Sequence, residues 1–312
     1  MSGAPPAPLG QTVAGIAFQN PIVLSAGTAA YGRELSGVVA LNRLGGLVTK
    51  AVSVEPRAGA PAPRVADFGD GMINAIGLAN PGAEAVRRNE LPWIAANLTA
   101  ARTIVNVVGR VVEDFAQVVR MLDSAAGFHA YELNVSCPHT RQGGLEFGAD
   151  PQALTEVVRL ARAETKRPLF VKLSPTLPRV ADVARCAADA GADAISVVNT
   201  IPGLVIDTET RTPALVFGTG GVSGPGLRPV GVLATRRVRS AVSLPVLGIG
   251  GVTSADDALQ YLMAGASLVG IGTAALANPS VPERIVDGLA EWCARHRVRS
   301  LSEVIGCVEL PS

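Results

Sequence analysis

The sequence has little charge and few aromatic residues, and these shortages exclude several classes of protein. Of its 312 residues 17% are charged, the 27 basic residues nearly balance the 26 acidic ones, and 4% are aromatic. Without an excess of positive charge there is no electrostatic reason to expect a nucleic acid or an anionic membrane as partner. No apolar run approaches the roughly 18 residues of a membrane span, and the N-terminus lacks the basic and apolar regions of a signal peptide.

Cysteine and histidine are scarce too. The four cysteines form no C-x-x-C pair and the three histidines are scattered, so no metal site is expected. Four cysteines do not make a disulfide framework in a chain this long, and a reducing cytoplasm is the expected compartment. The sequence also lacks a G-x-S-x-G turn and a P-loop, so redox chemistry on an organic cofactor fits its residues better than hydrolysis.

What the sequence does contain is a regular alternation of short apolar runs with longer amphipathic stretches. Strands are predicted at 22–25, 46–51, 104–108, 130–135, 169–173, 194–199, 246–249 and 268–271. Helices are predicted at 34–43, 83–97, 113–126, 151–166, 179–190, 227–241, 255–264 and 282–296. Alternation of this kind predicts an α/β fold with a parallel sheet, and eight units favour a (β/α)8 TIM barrel over a doubly wound sheet.

Three additions to the barrel are expected. Residues 9–13 and 16–18 predict a small N-terminal β-hairpin, and the whole chain, 1–312, is expected to be one domain with a flexible start at about 1–8. Two connections, 52–82 and 201–225, are longer than a barrel needs, and long loops in compact domains are usually functional. Tolerated surface insertions are the alternative. Within the second connection, residues 207–210 predict a hairpin turn.

Polar side chains stand at the ends of the predicted strands, among them Lys50, Asn106, Asn134, Lys172 and Asn199. A buried lysine needs a partner, and no acid at the neighbouring strand ends serves both lysines, so a bound anion or electron-rich ligand is predicted. The alternative is that each lysine reaches solvent or pairs with a core acid.

Glycine turns follow the last two predicted strands, at 250–251 and at 272. Backbone N–H groups in such turns bind anions, and TIM barrels frequently hold a phosphate at this place. A thiol, Cys137, follows the strand at 130–135, where it serves either in catalysis or as a packed side chain.

Four stretches are similar to the dihydroorotate dehydrogenases, the flavin oxidoreductases of pyrimidine biosynthesis: 71–78, 132–138, 171–175 and 220–225. The resemblance covers almost the whole chain. It implies that FMN lies across the C-terminal mouth of the barrel, held by Ala26, Lys50, Ala51, Asn106, Asn134, Lys172, Val198, Gly224, Gly250, Gly251, Gly272 and Thr273. It implies that dihydroorotate meets Lys50, Asn74, Ala75, Ile76, Gly77, Leu78, Asn134, Asn199 and Thr200.

The resemblance also gives Cys137 the role of general base, as in the non-membrane members of the family. The segment 74–78 and the insert 199–225 resemble class 1B, whose members form homodimers and heterotetramers with a subunit that carries FAD and a [2Fe–2S] cluster and reduces NAD⁺. One position departs from the family pattern, because His139 stands where asparagine is usual.

Three alternatives remain. The Cys-Pro-His step also resembles the dihydropyrimidine dehydrogenases, which act on uracil and thymine. A class 1A enzyme would be a homodimer that uses fumarate. A non-catalytic barrel that binds a nucleotide or phosphate would leave Cys137 merely packed.

Overall fold

The computed structural model describes residues 9–136 and 147–309. In these ranges the strands, in chain order, are Gln11–Val13 (β1), Ile16–Phe18 (β2), Ile22–Leu24 (β3), Gly46–Val48 (β4), Val65–Phe68 (β5), Gly71–Asn74 (β6), Arg102–Val107 (β7), Ala130–Asn134 (β8), Leu169–Leu173 (β9), Ala194–Val197 (β10), Ile201–Leu204 (β11), Ile206–Asp207 (β12), Thr212–Pro213 (β13), Thr219–Ser223 (β14), Val246–Ile249 (β15) and Leu268–Ile271 (β16).

Eight of these strands close into a parallel barrel in the order β3-β4-β7-β8-β9-β10-β15-β16, with β16 pairing back to β3. All eight correspond to predicted strands, so the predicted TIM barrel is confirmed. The predicted N-terminal hairpin is confirmed as well, since β1 and β2 pair antiparallel.

Helices lie between the barrel strands, at Ala83–Ala85 (α1), Leu91–Asn97 (α2), Val112–Leu122 (α3), Pro151–Ala163 (α4), Val180–Asp189 (α5), Arg228–Ala241 (α6), Ala255–Ala264 (α7), Thr273–Ala277 (α8) and Val281–His296 (α9). A π-helical segment, Val86–Glu90, joins α1 to α2. The sequence places their ends well: the Asp150 carboxylate accepts the N–H of Gln152 at 2.9 Å to cap α4, and Gly265 ends α7 in a left-handed conformation.

One predicted helix, 34–43, is wrong. Two short 3-10 turns, Arg33–Leu35 and Leu41–Arg43, occupy that stretch instead. Gly37 and the β-branched pair Val38 and Val39 lower the helix propensity between the two turns, and Val38 is 62% exposed, so little burial favours a continuous helix there.

Strand side chains divide into two apolar layers, because successive residues point to opposite faces. One layer packs outward against the helices and the other, which includes Ile104, Ala130 and Phe170, fills the inside of the barrel. The hairpin contributes Phe18 to the inner layer. Polar residues that follow the inner layer by two positions therefore point into the barrel toward its C-terminal mouth.

The two long connections fold together. They supply one four-stranded antiparallel sheet in the order β11-β14-β6-β5, in which Asn74 lies opposite Gly221. The predicted hairpin turn is present between β12 and β13, where the Asp207 carboxylate accepts the N–H groups of Glu209 and Thr210. In the ranges that the structure covers, none of the helices has the length and apolar character to cross a membrane.

Candidate active site

The polar strand ends meet at the C-terminal mouth of the barrel. Strand register places Asn106 beside Glu132, and Asn134 beside Lys172. All four side chains are buried, and they follow inner-layer residues by two or four positions, so they share the inner face. The sequence prediction that these groups converge on one face is thus consistent with the barrel geometry.

Ser136 holds two of the predicted amides in a chain of hydrogen bonds. Its hydroxyl donates to Asn134 Oδ1 at 2.8 Å and accepts from Asn199 Nδ2 at 2.6 Å, while Asn199 Oδ1 accepts the N–H of Thr200 at 2.9 Å. This arrangement leaves the NH₂ group of Asn134 without an acceptor among the described residues. A donor fixed in this way suits a ligand carbonyl or carboxylate.

Lys50 gives the mouth a positive charge. Burial lowers the pKa of the Lys50 ammonium, the positive charge of Arg64 lowers this pKa further, and the carboxylate of Glu34 opposes both effects. In the described part of the chain no carboxylate lies within ion-pair distance of Lys50. An anionic ligand would supply the missing partner.

The predicted segment 74–78 is pinned by both insertions. Asn74 Nδ2 donates to the carbonyl oxygen of Gly221 at 3.1 Å, and the Ala75 N–H donates to that of Arg64 at 2.9 Å. Gly77 has φ +68°, and a Cβ there would lie 2.5 Å from the Ala60 nitrogen, so only glycine fits. The segment therefore has a fixed backbone conformation, held by contacts with both insertions.

The glycine turns offer free backbone donors. Within the described residues no acceptor takes the N–H of Gly250, Gly251 or Gly272, while Thr273 Oγ1 donates to Ser223 Oγ at 2.7 Å. A Cβ on Gly251 would lie 2.7 Å from the carbonyl oxygen of Gly224, so the turn at 250–251 lies close to the backbone at Gly224. Free N–H groups in such turns fit a phosphate.

The backbone N–H groups of Thr253 and Ser254, just before α7, are not free to bind a phosphate, because a side chain of α7 already accepts their hydrogen bonds. Asp257 Oδ2 accepts the N–H groups of Thr253 and Ser254, and Arg228 forms an ion pair with the same carboxylate. Burial would raise the pKa of the Asp257 carboxyl, but these hydrogen bonds and the Arg228 charge hold it below its usual range. Of the residues predicted to bind phosphate, the glycine turns at 250–251 and 272 therefore remain as candidates.

Several buried polar atoms lack a partner, and this tests whether an organic cofactor fits the mouth. Ser25 Oγ, Asn106 Oδ1, Glu132 Oε2 and Ser196 Oγ are buried and make no hydrogen bond with the described residues. Buried polar groups are normally paired, so atoms of this kind at the mouth could hydrogen-bond to a bound ligand. A flavin ring carries both N–H groups and carbonyl oxygens, and its phosphate matches the glycine turns, so the residues fit this cofactor.

The remaining predicted residues fall into two groups. Ala51 and Val198 are buried at the mouth and Ala26 is half-buried there, each just after a barrel strand. Cys137 and His139 lie outside the described residues. No group of three or more histidine, cysteine, aspartate or glutamate side chains within 9–136 and 147–309 could hold a metal ion.

Sequence reasoning missed Glu132 and the holding role of Ser136. Glu132 is a buried acid on the strand next to Lys172, where no acid was expected. The signal was its position two residues before Asn134, since residues at that spacing share a face of a strand.

Comparisons with known proteins concern the chain as a whole. A family model described as dihydroorotate dehydrogenase matches residues 8–292. The catalytic subunit of dihydroorotate dehydrogenase B (NAD(+)) from Geobacter sp. (strain M21) is 43% identical over 298 residues, which cover 96% of this chain and 97% of the relative. The protein of the same name from Bacillus pumilus (strain SAFR-032) is 41% identical over 292 residues, 94% of each chain.

A relative with a different name is equally similar. A protein of Solibacter usitatus (strain Ellin6076), described provisionally as dihydroorotate dehydrogenase A (fumarate), is 44% identical over 301 residues, which cover 96% of this chain and 98% of the relative. Sequence identity alone therefore does not separate the two named types.

Proposed function

Because this chain belongs to the dihydroorotate dehydrogenase family, we propose that it oxidises (S)-dihydroorotate to orotate in pyrimidine biosynthesis and passes the electrons to NAD⁺ through a partner subunit. The observation that supports the proposal is that Asn134, Asn199 and the cation Lys50 all lie at or just after the C-terminal ends of barrel strands, with the two amides joined through Ser136. Asn74 lies in the sheet formed by the two insertions, where it contacts Gly221. Amide groups match the ring carbonyls and N–H groups of dihydroorotate, and Lys50 matches its carboxylate.

The cofactor of the proposal is FMN, in a family that is flavin-dependent. When bound, it would supply the acceptor for the hydride that leaves C6 of the substrate. Lys172, Asn106 and Ser25 would hold its ring, and the turns at Gly250, Gly251 and Gly272 would bind its phosphate. The chain's own task is to fix the substrate above this ring and to take a proton from C5.

Cys137 is the proposed base for the C5 proton. A thiol is a good base only when its pKa is lowered or when proton and hydride leave together. The side chains of Asn134 and Asn199, held by Ser136, would keep the substrate ring oriented during this transfer. Orientation of this kind lowers the barrier because the reacting atoms are already close.

The experiment is anaerobic reduction of the purified protein. We expect a yellow protein whose flavin absorbance is bleached by dihydroorotate and not by dihydrouracil. The sequence motif Cys137-Pro138-His139 favours a second candidate, a dihydropyrimidine dehydrogenase-like enzyme. Bleaching by dihydrouracil alone would support that candidate. A colourless protein that takes up no flavin would contradict both enzymes and support a non-catalytic barrel.

The electron acceptor of the proposal is NAD⁺, reached through a subunit that carries FAD and a [2Fe–2S] cluster. The relatives named as catalytic subunits support it. The proposed assembly is a cytoplasmic heterotetramer, in which a homodimer of this chain binds two of these partner subunits. Co-purification from the native host tests it: a co-eluting iron–sulfur flavoprotein supports the proposal, and a homodimer alone that reduces fumarate supports the type of the Solibacter relative.

A further inference from the structure

Glu132 is an acid in an unusual place. It lies in the middle of β8, its side chain points into the barrel beneath the mouth, and it is 0% exposed. Its only hydrogen bond among the described residues comes from Asn106 Nδ2, at 2.7 Å to Oε1, and Oε2 has no partner. A buried carboxylate with a single amide donor is costly unless it is protonated or has a cation nearby.

A cation is available on the next strand. Lys172 lies on the same inner face of β9, two residues beyond Phe170, which is the register partner of Glu132, and it is 5% exposed. No described residue accepts a hydrogen bond from Lys172, and no carboxylate forms a contact ion pair with it. An acidic and a basic side chain thus lie on the inner face of neighbouring strands, and in the described part of the chain neither forms an ion pair with another residue.

The bond to Asn106 also carries information about orientation. An ionised carboxylate only accepts hydrogen bonds, so it fixes the NH₂ group of Asn106 toward itself. The carbonyl oxygen Oδ1 is then turned away, and it is one of the buried atoms without a partner. Asn106 is therefore presented as an acceptor for a ring N–H of a ligand at the mouth.

We propose that Glu132 is an ionised positioning residue that balances the charge of Lys172 beneath the cofactor ring and orients Asn106 toward that ring. The inference rests on the proposed function, because the ring is that of the flavin. Glu132 does not touch the reacting atoms. It sets how strongly positive charge favours the reduced flavin, which gains negative charge when it accepts a hydride.

The direction of the effect follows from the signs of the charges. Glu132→Gln removes the negative charge, keeps the shape and still offers a carbonyl oxygen to Asn106, so Lys172 acts on the flavin uncompensated. We expect the ratio of reduced to oxidised flavin at a fixed potential to rise about tenfold, which is about 30 mV for a two-electron couple. Glu132→Asp retains the charge, and its potential should stay near that of the wild type.

The measurement is the midpoint potential of the bound flavin against reference dyes, with Glu156→Gln as the matched control. Glu156 is an exposed acid on α4, so the same loss of charge there should leave the potential unchanged. Equal potentials in the wild type and Glu132→Gln would overturn the inference. Equal shifts in Glu132→Asp and Glu132→Gln would also overturn it, because packing rather than charge would then set the potential.

A second measurement covers the case in which the variants fold poorly. Infrared difference spectra of the wild type during flavin reduction should show no band of a buried protonated carboxyl group. Such a band would mean that Glu132 is neutral, which contradicts the proposal. Flavin content and bleaching by dihydroorotate are recorded on the same wild-type sample. Absence of flavin overturns both the function and this inference, whereas a bleached flavin with unshifted potentials overturns the inference alone.

Discussion

At the scale of single residues, Lys50 links the electrostatics of the mouth to a pH dependence. Burial and the Arg64 charge lower the pKa of Lys50, so this side chain loses its proton at a lower pH than an exposed lysine does. Below the lowered pKa Lys50 is a cation that binds the substrate carboxylate, and above it Lys50 is neutral. We therefore expect kcat/KM for dihydroorotate to fall as the pH rises through that pKa.

Two variants test whether Lys50 causes this fall of kcat/KM at high pH, which is the alkaline limb of the pH profile. Lys50→Gln should lower kcat/KM about 10- to 100-fold, since a hydrogen bond to a charged group contributes about 1.5–3 kcal/mol, and it should abolish the limb. Lys50→Arg keeps a permanent charge, so its limb should move to higher pH. If Lys50→Gln retains the limb at the wild-type pH, another group is responsible for it.

Cys137 is the residue on which the proposed chemistry depends. Cys137→Ala should keep the flavin but lower the rate of its reduction by dihydroorotate about 10²- to 10⁴-fold near neutral pH, the usual contribution of a general base. Anaerobic stopped-flow absorbance measures this rate. Cys137→Ser is the control of similar size, and raising the pH should restore more of its rate than that of the alanine variant. An unchanged rate in Cys137→Ala would remove Cys137 from the mechanism.

Single residues also show why the sequence revealed only part of the site. Lys172 and Asn134 were predictable because polar residues at the end of an apolar strand are conspicuous. Glu132 lies in the middle of a strand that is buried on both faces, so the sequence does not show to which face its side chain points. Its contact with Asn106 joins two strands 26 residues apart, and such a contact depends on strand register, which the sequence does not display.

At the scale of elements, the strands were more predictable than the insertions. Each barrel strand is a local apolar run, but the sheet that joins β6 to β14 pairs residues about 150 positions apart. Pairing over such a separation depends on the closed barrel, which brings the two connections to the same mouth. The helix predicted at 34–43 failed for a local reason: both the helix propensity and the burial of this stretch are weak.

The turn after β15 gives a prediction for a whole element. Gly251 has φ +65°, and a Cβ there would collide with the backbone of Gly224 and Arg228. Gly251→Ala should therefore destabilise the turn by about 1–3 kcal/mol, the usual cost of such strain, and weaken flavin binding. Gly226→Ala is the matched control, because a Cβ on Gly226 meets no atom within 4 Å. Fluorescence titration with FMN measures both, and equal affinities would contradict the role of the turn.

At the scale of the whole molecule, the two ends of the barrel differ: an apolar hairpin packs into one end, and the polar residues of the candidate site lie at the other. The hairpin of β1 and β2 packs Val13, Ile16 and Phe18 into the inner apolar layer. The insertion sheet lies at the other end, where Ser223 of β14 accepts a hydrogen bond from Thr273, just after β16. Stability and ligand binding are therefore assigned to opposite ends of the same barrel.

This division predicts different effects of two phenylalanine substitutions. Phe18 is 2% exposed in the inner layer, so Phe18→Ala should lower the free energy of unfolding by about 3–5 kcal/mol through lost burial and the cavity it leaves. Phe217, in the insertion, is 61% exposed, and Phe217→Ala should change it by about 0.5 kcal/mol or less. Urea unfolding at one protein concentration measures both midpoints. Equal losses for the two variants would mean that the hairpin contributes no more to the stability of the barrel than an exposed side chain of the insertion does.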